Sequence, residues 1–241
     1  MTTPAPARRR LDQCLGSLGV ARRAEVPRLC RDGRVTLRDG TVLRQAATKV
    51  APRDVLLDGS PLPYPEGLFI LLHKPLGYVC SHDANEGDLV YDLLPASWRN
   101  RRPSVSTIGR LDKDTSGVLL LTDDGQAAHR LASPASHVEK SYLATVDHPL
   151  DPSLTARFAE GIALRGERTP CAPAAFEMLS ETQARVTVCE GRYHMVRRML
   201  AACGWKVTAL HRERFGRYQL DDLAPGQWRD TPDPDGRIRM P

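Results

Sequence analysis

Of the residues in this sequence, Asp112 has the neighbours that best suit a catalytic group. It lies in the segment GRLDKDTSG, residues 109–117, with Arg110 and Lys113 close to it along the chain. Positive neighbours favour the ionised form of a carboxyl group, and the flanking glycines allow tight turns and the close approach of another backbone. The segment therefore offers a setting for a carboxylate that must stay ionised. The residues alone leave a second interpretation open, in which Asp112 or Asp114 only shapes a turn through its own backbone.

The apolar run that follows must position this carboxylate. Residues 118–122, with the sequence VLLLT, begin in a polar loop and are closed by the turn sequence DDG at 123–125. Such a run is typical of a central strand that is buried on both faces. We expect Asp112 to lie at the lip of this rigid strand.

A second strand carries an aromatic side chain and a lysine on one face. In the alternating sequence KSYLATV, residues 140–146, the pleat places Lys140, Tyr142, Ala144 and Val146 on the same side. Without further information, Tyr142 is interpreted as a core residue with a satisfied hydroxyl group.

The sequence takes on the period of a helix after Gly191. An apolar stripe at helical spacing predicts this helix: Val196, Met199, Leu200 and Cys203. Gly204 fits the C-cap, and His194 and Arg197, three residues apart, are expected to share a different side. On its own, the pattern favours an amphipathic helix with a charged outer face.

The composition indicates a globular protein and excludes several classes. Of 241 residues, 41% are apolar, which is enough for a core in one large domain or in two unequal ones. No run of about eighteen apolar residues occurs and the N-terminal region lacks the apolar segment of a secretory signal, so we expect a cytoplasmic protein without a membrane span. The six cysteines form no Cys-x-x-Cys pair and no group with histidines at metal-ligand spacing, so we expect reduced thiols and no bound metal.

The excess positive charge is confined to one end of the chain. The formal net charge is +5; residues 1–67 contain 12 lysines and arginines against 7 aspartates and glutamates, whereas residues 68–241 contain 22 of each. A small basic module joined to an electroneutral body favours sequence-independent attraction to a polyanion, most simply a nucleic acid.

The N-terminal part is predicted to be a small module of two helices and short strands. An apolar stripe at residues 11–18 predicts the first helix, and a second is expected around residues 22–30, with a late start because Pro27 fits only the first turn. Three short strands are expected to follow, at residues 34–37, 42–43 and 55–57. The three prolines in residues 60–67 predict an extended, semi-rigid linker rather than packed structure.

The remainder of the chain mixes strands and helices. A buried strand at residues 68–72 is expected to end in a turn at residues 73–78. The turn contains Lys74, whose side chain either holds a phosphate or only caps the sheet edge. Arg99, Arg101 and Arg102 form a basic cluster that is either solvated or in contact with an RNA backbone. Further elements are expected as strands around Ala163 and Phe176 and at residues 184–188 and 205–209, and as helices at residues 125–131 and 152–160.

Three separated segments resemble the active-site motifs of the RsuA-type pseudouridine synthases. They are GRLDKDTSG with the strand and TDDG that follow it, EKSY at residues 139–142, and EGRYHMVRRM at residues 190–199. The resemblance implies an α+β fold in which the second domain has a mixed, mostly antiparallel sheet with flanking helices. It implies four regions: an S4-like RNA-binding domain (8–60), a linker (61–67), a pseudouridine synthase catalytic domain (68–230) and a flexible tail (231–241).

The resemblance also implies roles for individual residues. Asp112 matches the catalytic aspartate, Tyr142 the tyrosine that stacks against the target base, and Arg197 the basic residue that pairs with the aspartate. Arg110 and Lys74 complete the expected substrate-binding set. Further RNA contacts are expected from basic residues of both domains: Arg22, Arg23, Arg34, Arg192 and Arg198.

The implied activity is the conversion of a uridine in ribosomal RNA to pseudouridine, without a cofactor. The segments GYVCS at 77–81 and HRERFG at 211–216 resemble those of members that modify small-subunit RNA, which implies uridine 516 of 16S RNA as the target. Two alternatives stay open: a synthase that acts on 23S RNA, and an RNA-binding ribosome-assembly factor without catalysis. The expected substrate is naked RNA or a partly assembled particle, and the protein is expected to be a monomer.

Overall fold

The computed structural model describes residues 8–234 and begins with a small module of short elements. These elements are β1 (Arg9–Arg10), α1 (Leu11–Ser17), α2 (Val26–Arg31), β2 (Val35–Leu37), β3 (Lys49–Val50), β4 (Val55–Leu57) and β5 (Ser60–Pro61). Strands β2, β4 and β5 form an antiparallel sheet, and β1 pairs with β3. The module thus contains the two helices and short strands that the sequence predicts.

The apolar stripe of α1 forms the core of this module. Leu11, Cys14 and Leu15 are fully buried and pack against α2. Helix α2 begins at Val26 and has Pro27 in its first turn, where a proline removes no intrahelical hydrogen bond. The late start expected for this helix is confirmed. Burial raises the pKa of the Cys14 thiol to about 11, so this cysteine acts as an apolar core group.

The larger part of the chain is built on one mixed sheet. Its strands are β6 (Phe69–Lys74), β7 (Ser106–Thr107), β8 (Thr115–Thr122), β9 (Lys140–Val146), β10 (Ala175–Met178), β11 (Gln183–Val188), β12 (Val207–Phe215), β13 (Tyr218–Gln219) and β14 (Trp228–Asp230), and its helices are α3 (Gly125–Ala132), α4 (Leu154–Glu160) and α5 (Met195–Cys203). The strand order is β10-β11-β9-β12-β8-β6-β14, with β7 added to β8 and β13 to β12. Strands β8 and β12 are parallel, and the other pairs are antiparallel. The expected α+β fold with a mixed, mostly antiparallel sheet is confirmed.

Strand β8 is buried on both faces, as its apolar run predicts. Leu119 and Leu121 pack into a cluster on one face of the sheet, whereas Val118 and Leu120 pack into a cluster on the other. Burying each of these side chains contributes about 2 kcal/mol of hydrophobic stabilisation. The strand is therefore a fixed support for the loop that leads into it, residues 108–114.

Helices α4 and α5 cover the sheet on the β9 and β11 side. Met199 and Leu200 of α5 and Phe158 of α4 are fully buried with Val186 of β11. Gly204 ends α5 in the left-handed region, with a φ of 111°, as its sequence position predicts. The apolar stripe of α5 is therefore the face that packs on the sheet.

The segment between the two parts is packed rather than freely extended. Leu62 is buried in the core of the N-terminal module, and the ring of Tyr64 lies edge-on against Trp98, with centroids 5.1 Å apart. Arg101 is 1% exposed, donates to two main-chain oxygens of the linker and pairs with Asp123 at 2.6 Å. The expectation that Arg101 is solvated or contacts RNA is wrong, because its guanidinium group ties the linker to the sheet.

Three predicted strands differ in the structure. Ala163 lies in irregular chain between α4 and β10, and Val42 makes only a single bridge, to Thr36. Strand β12 runs through to Phe215, so the segment at 211–216 lies mostly within the strand instead of following it. The buried polar side chain of Arg212 inside β12 hides the strand period, because alternation is judged from apolar residues.

Three further features bear on the expectations from the sequence. Strand β14 ends at Asp230, and residues 235–241 of the expected tail lie outside the described residues. Of the helices that the structure describes, none is long and apolar enough to cross a membrane. The six cysteines are free, and residues 8–234 contain no group of three or more potential metal ligands.

Candidate active site

A cleft on the face of strands β8, β9 and β12 collects residues from separate parts of the sequence. Its volume is about 400 Å³, which lies in the range of small-molecule pockets. From the expected site residues it brings together Arg110, Asp112, Tyr142 and Arg192. The others lie outside its lining: Lys74, Arg197 and Arg198 in the same domain, and Arg22, Arg23 and Arg34 on the N-terminal module.

Asp112 enters the cleft from the loop between β7 and β8. Its main-chain oxygen accepts a hydrogen bond from the main-chain N–H of Thr115 at 3.0 Å, which closes the turn. Its carboxylate lines the cleft, and the side chain is 26% exposed. The turn is thus closed by the backbone of Asp112, which leaves the carboxylate available for chemistry.

Lys74 holds this loop from behind instead of facing the cleft. Its side chain is fully buried, and Nζ donates to the main-chain oxygens of Asp112 at 3.0 Å, Thr115 at 2.8 Å and Pro75 at 3.1 Å. These contacts use all the donors of an ammonium group, and burial lowers its pKa. The expected substrate contact of Lys74 is corrected, because an enclosed group without a free donor supports the loop and does not reach a phosphate.

Arg197 also holds the loop, through Asp114 rather than Asp112. Its Nη2 lies 2.9 Å from the main-chain oxygen of Asp114 and 2.9 Å from the carboxylate, and Nη1 donates to Val207 at 3.2 Å. The expected pair between Arg197 and Asp112 is therefore wrong in this structure. The physical reason is the turn, which directs Asp114 towards α5 and Asp112 into the cleft.

His194 is the basic residue beside Asp112. Its Nε2 lies 3.4 Å from Oδ1 of Asp112, and its ring stacks on Tyr193 with centroids 3.9 Å apart. It precedes α5 with a φ of 48°, so it does not share a helical side with Arg197 as expected. A non-glycine residue in this conformation costs about 1 kcal/mol or more. A protonated imidazole at this position would stabilise the carboxylate.

Tyr142 contacts a buried arginine, Arg212. Arg212 is 2% exposed; its Nε donates to the main-chain oxygen of Val118 at 2.7 Å, and its Nη1 lies 3.4 Å from the Tyr142 hydroxyl. The guanidinium group also lies over the ring of Phe215, 5.2 Å from the centroid. Gly117 pairs with Arg212 across β8 and β12, and a Cβ atom at Gly117 would overlap the main-chain oxygen of Arg212. The two strands approach this closely only because Gly117 has no side chain.

Two further cations line the cleft. Lys140 is mostly buried, donates to the main-chain oxygen of Val138 at 2.8 Å and has its pKa lowered, chiefly by burial. Arg192 pairs with Glu190 at 3.2 Å and donates to two main-chain oxygens, at residues 169 and 170. The cleft is therefore positively charged around Asp112, as the binding of an anionic substrate requires.

Like Arg192, two more of the expected RNA-contacting arginines already have close protein partners. Arg34 makes a bidentate pair with Asp58, at 2.7 and 2.6 Å, and this contact lowers the pKa of the Asp58 carboxyl. Arg198 pairs with Glu167 at 2.9 Å and donates to main-chain oxygens of Tyr193 and residue 165. An RNA phosphate would have to compete with these carboxylates.

Arg22 and Arg23 are more available. Both are exposed, Arg23 lies 3.7 Å from Asp12, and Arg22 has no side-chain partner among residues 8–234. They line a groove at the junction of the N-terminal module and the sheet, to which Arg102 also contributes. At this junction the main-chain N–H of Arg102 donates to Ser17 at 2.7 Å.

Sequence reasoning missed Arg212, Thr115 and His194 as members of the site. Arg212 belongs to the segment HRERFG, which the sequence pattern places after a strand. Thr115 stands inside the Asp112 motif, and its position on the cleft face becomes visible only from the register of β8 with β12. His194 depends on a left-handed backbone at a non-glycine residue, for which no sequence signal exists.

The chain matches one protein family in sequence and in structure. Residues 68–202 match the RNA pseudouridylate synthase family. Over 226 residues the chain is 45% identical to the ribosomal small subunit pseudouridine synthase A of Escherichia coli (strain K12), covering 91% of this chain and 95% of that protein. It is 37% identical over 223 residues to the protein of the same name from Haemophilus influenzae, covering 91% and 94%. A solved pseudouridylate synthase structure superimposes with a TM-score of 0.65 at 34% identity, over 95% of this chain and 98% of that one.

Proposed function

This chain belongs to the RNA pseudouridylate synthase family, and from that membership we propose that it modifies one uridine of small-subunit ribosomal RNA, with Asp112 as the group that acts on the ribose. The protein is an isomerase that acts on ribosomal RNA. The observation that carries the proposed site is the carboxylate of Asp112, which stands in a cationic cleft on a loop held by Lys74 and Arg197.

The reaction sets three demands on the site. The bond between N1 of uracil and C1′ of ribose must break, the base must turn, and a bond between C5 and C1′ must form, with loss of the C5 proton. The nucleotide has to leave its helix so that the ribose reaches a carboxylate. The detached base carries the electron pair of the broken bond, so the site must stabilise negative charge and keep the base from leaving.

The residues of the cleft meet these demands in this proposal. Asp112 acts on the ribose either as the nucleophile at C1′ or as the base that removes a proton from C2′. Tyr142 stacks against the uracil and replaces the neighbours that the base loses when it is extruded. Arg110, Lys140 and Arg192 supply the positive field for the phosphates and the detached base, and the imidazole of His194 lies 3.4 Å from the carboxylate of Asp112.

Small-subunit RNA is proposed as the substrate because of the similarity to the ribosomal small subunit pseudouridine synthase A of several bacteria, over nearly the whole of both chains. We propose uridine 516 of 16S RNA as the position. The exposed Arg22 and Arg23 place phosphate-binding charge on the S4-like module, which would hold the RNA while the cleft takes the uridine. We propose that the protein is a cytoplasmic monomer whose substrate is naked RNA or a partly assembled particle.

Release of tritium from small-subunit RNA labelled at C5 of uridine tests this function, because C5 loses its hydrogen only in the chemical step. Wild type should release tritium from one mapped uridine. Asp112→Asn, which removes the charge at nearly constant shape, should be slower by about 10³-fold or more with unchanged RNA binding.

Asp114→Asn serves as the matched control in the same loop. It should lose less than about threefold, since Arg197 keeps its contact with the main chain at residue 114. Normal turnover by Asp112→Asn would remove Asp112 from the mechanism. Release only from large-subunit RNA would change the substrate, and no release from naked RNA or particles of either subunit would indicate a binding factor.

A further inference from the structure

Two groups in the cleft lack the hydrogen bonds that burial demands. Among residues 8–234, four buried side-chain atoms have no partner: Thr115 Oγ1, Arg197 Nε, Arg212 Nη2 and Asp230 Oδ1. Thr115 and Arg212 both line the cleft that contains Asp112. A buried donor without an acceptor is destabilising, because it has given up its hydrogen bonds to water and gained none in the protein. Two such groups in one cleft indicate a ligand whose polar atoms supply the missing hydrogen bonds.

The strand register places the two unpaired groups on the same face. Thr115 pairs with Leu210 across β8 and β12, and Arg212 pairs with Gly117 on one side and with Tyr142 on the other. Paired residues in neighbouring strands project from the same face of a sheet. Thr115, Arg212 and Tyr142 therefore project together, and Gly117 brings β8 close to β12 at this point because it has no side chain.

The direction of the free Arg212 donor is fixed by its neighbours. Nε is held by the main-chain oxygen of Val118, Nη1 is directed to the hydroxyl of Tyr142, and the guanidinium plane packs over Phe215. A guanidinium group is planar, so two fixed nitrogens also fix the third. Nη2 is thus a preorganised cationic donor beside the tyrosine that is proposed to hold the base.

We propose that Arg212 is a substrate-binding residue whose Nη2 donates to a carbonyl oxygen of the target uracil, with the Thr115 hydroxyl as a second contact on the same face. This inference rests on the proposed function. When the bond from N1 to C1′ breaks, its electron pair stays on the base and spreads to O2 and O4. A guanidinium at one of these oxygens stabilises that charge without a change in its own position.

Because of the symmetry of uracil, a single fixed donor can bind a carbonyl oxygen of the base both before and after the base turns. The turn that exchanges N1 with C5 about the axis through N3 and C6 also exchanges O2 with O4. One donor therefore meets a carbonyl oxygen before and after the base turns. Cytosine has an amino group in place of O4, so it would present a donor to Arg212 in one of the two orientations. Arg212 thus contributes to the choice of uracil as well as to retention of the detached base.

Sulfur substitution of the base tests this contact directly. Single-turnover conversion is measured on small-subunit RNA that carries uridine, 2-thiouridine or 4-thiouridine at the modified position, because sulfur accepts hydrogen bonds weakly. At least one of the two sulfur substitutions should slow wild type by about 10-fold or more, and the same substitution should slow Arg212→Met by less than about twofold, because that variant has no donor to lose.

Arg214→Met is the matched control. Arg214 is two residues along β12, pairs with Glu139 at 3.3 Å and does not line the cleft, so this variant should keep the wild-type response to sulfur. If circular dichroism shows that Arg212→Met is unfolded, Arg212→Lys replaces it and should lose most of the response, because a lysine lacks the planar fork.

Equal rates of wild type on the three RNAs would overturn the contact without reference to any variant. An equal response to sulfur in wild type and in the folded Arg212 variant would also overturn it. Absence of conversion of the uridine RNA by wild type would overturn the proposed function, and this inference with it.

Discussion

The two sides of the Asp112 loop differ in how their polar groups are satisfied. Behind the loop, the main-chain oxygens at 112, 114 and 115 accept hydrogen bonds from Lys74 or Arg197, and that of Lys113 accepts one from the N–H of Gly77. On the cleft side, Arg212 and Thr115 keep buried polar atoms without partners. The main-chain oxygens of the loop are thus satisfied where they meet the protein, although Nε of Arg197 behind it has no partner, whereas two strand residues on the cleft side keep unpaired polar atoms towards the substrate.

This difference separates residues that position the carboxylate from residues that bind the substrate. A basic residue behind the loop is expected to affect the position of Asp112 and the stability of the fold. A basic residue in the cleft or on the module surface is expected to affect RNA or base recognition. Residue type alone does not make this distinction, since Lys74, Arg197, Arg212 and Arg22 are all cationic.

Among the residues that hold the loop or bind RNA, the largest effect is expected from Lys74→Met, which removes the support behind the loop. Three main-chain oxygens would lose their buried donor, so the free energy of unfolding should fall by about 2–4 kcal/mol, and the melting temperature by roughly 5–15 °C. The remaining folded protein should convert RNA at least about 10-fold more slowly. Thermal denaturation and single-turnover assays measure both quantities.

Lys113→Met provides the comparison for this experiment. Lys113 is an exposed lysine of the same loop, so its loss should change the free energy of unfolding by less than about 0.5 kcal/mol. Equal melting temperatures for the two variants would show that the contacts of Lys74 do not support the fold.

Arg197→Ala is expected to have an intermediate effect, on the chemical step. The loop would lose its anchor to α5, so kcat should fall by about 10-fold while KM changes less than about twofold. Arg197→Lys should restore part of the loss, because an ammonium group can still donate to the main chain. Steady-state kinetics on the RNA substrate measures the split, and a rise in KM without a fall in kcat would place Arg197 among the substrate contacts instead.

The smallest effect is expected on the N-terminal module. Replacement of both Arg22 and Arg23 by glutamine should weaken RNA binding by about 3–10-fold at 0.1 M salt and reduce the slope of log affinity against log salt by between about one and two. Arg34→Gln should change neither quantity measurably, because Arg34 is already paired with Asp58. Filter binding at several salt concentrations measures the RNA affinity and its salt dependence. Equal losses of affinity for the double variant and for Arg34→Gln would show that pairing within the protein does not decide which arginines bind RNA.

The sequence predicts an element of the fold correctly where the period of its apolar residues matches the face or faces that are buried. The run before Thr122 predicts a strand buried on both faces, and the stripe of α5 ended by Gly204 predicts its helix, because apolar periodicity reports the packing directly. The apolar pattern predicts a strand that ends at residue 209, whereas β12 continues to Phe215. The pattern ends early because Arg212 is a buried polar residue inside the strand.

The sequence predicts which residues belong to the candidate site, but not which of them contact one another. Asp112 and Tyr142 were identified from motifs and lie in one cleft. The ion pair of Arg197 with Asp114 and the contact of His194 with Asp112 depend on how one turn directs adjacent side chains. Sequence spacing along a helix carries no information about which of two nearby carboxylates is reached.

Gly117 limits how this active site can vary in evolution. Its φ of 116° is rarely adopted by residues with a side chain, and a Cβ atom there would overlap the main chain of Arg212. Any other amino acid would have to separate β8 from β12, which carry Asp112's loop and Arg212. The position is therefore closed to substitution although it has no atom that could react, because the distance between the strand that follows Asp112 and the strand that carries Arg212 depends on it.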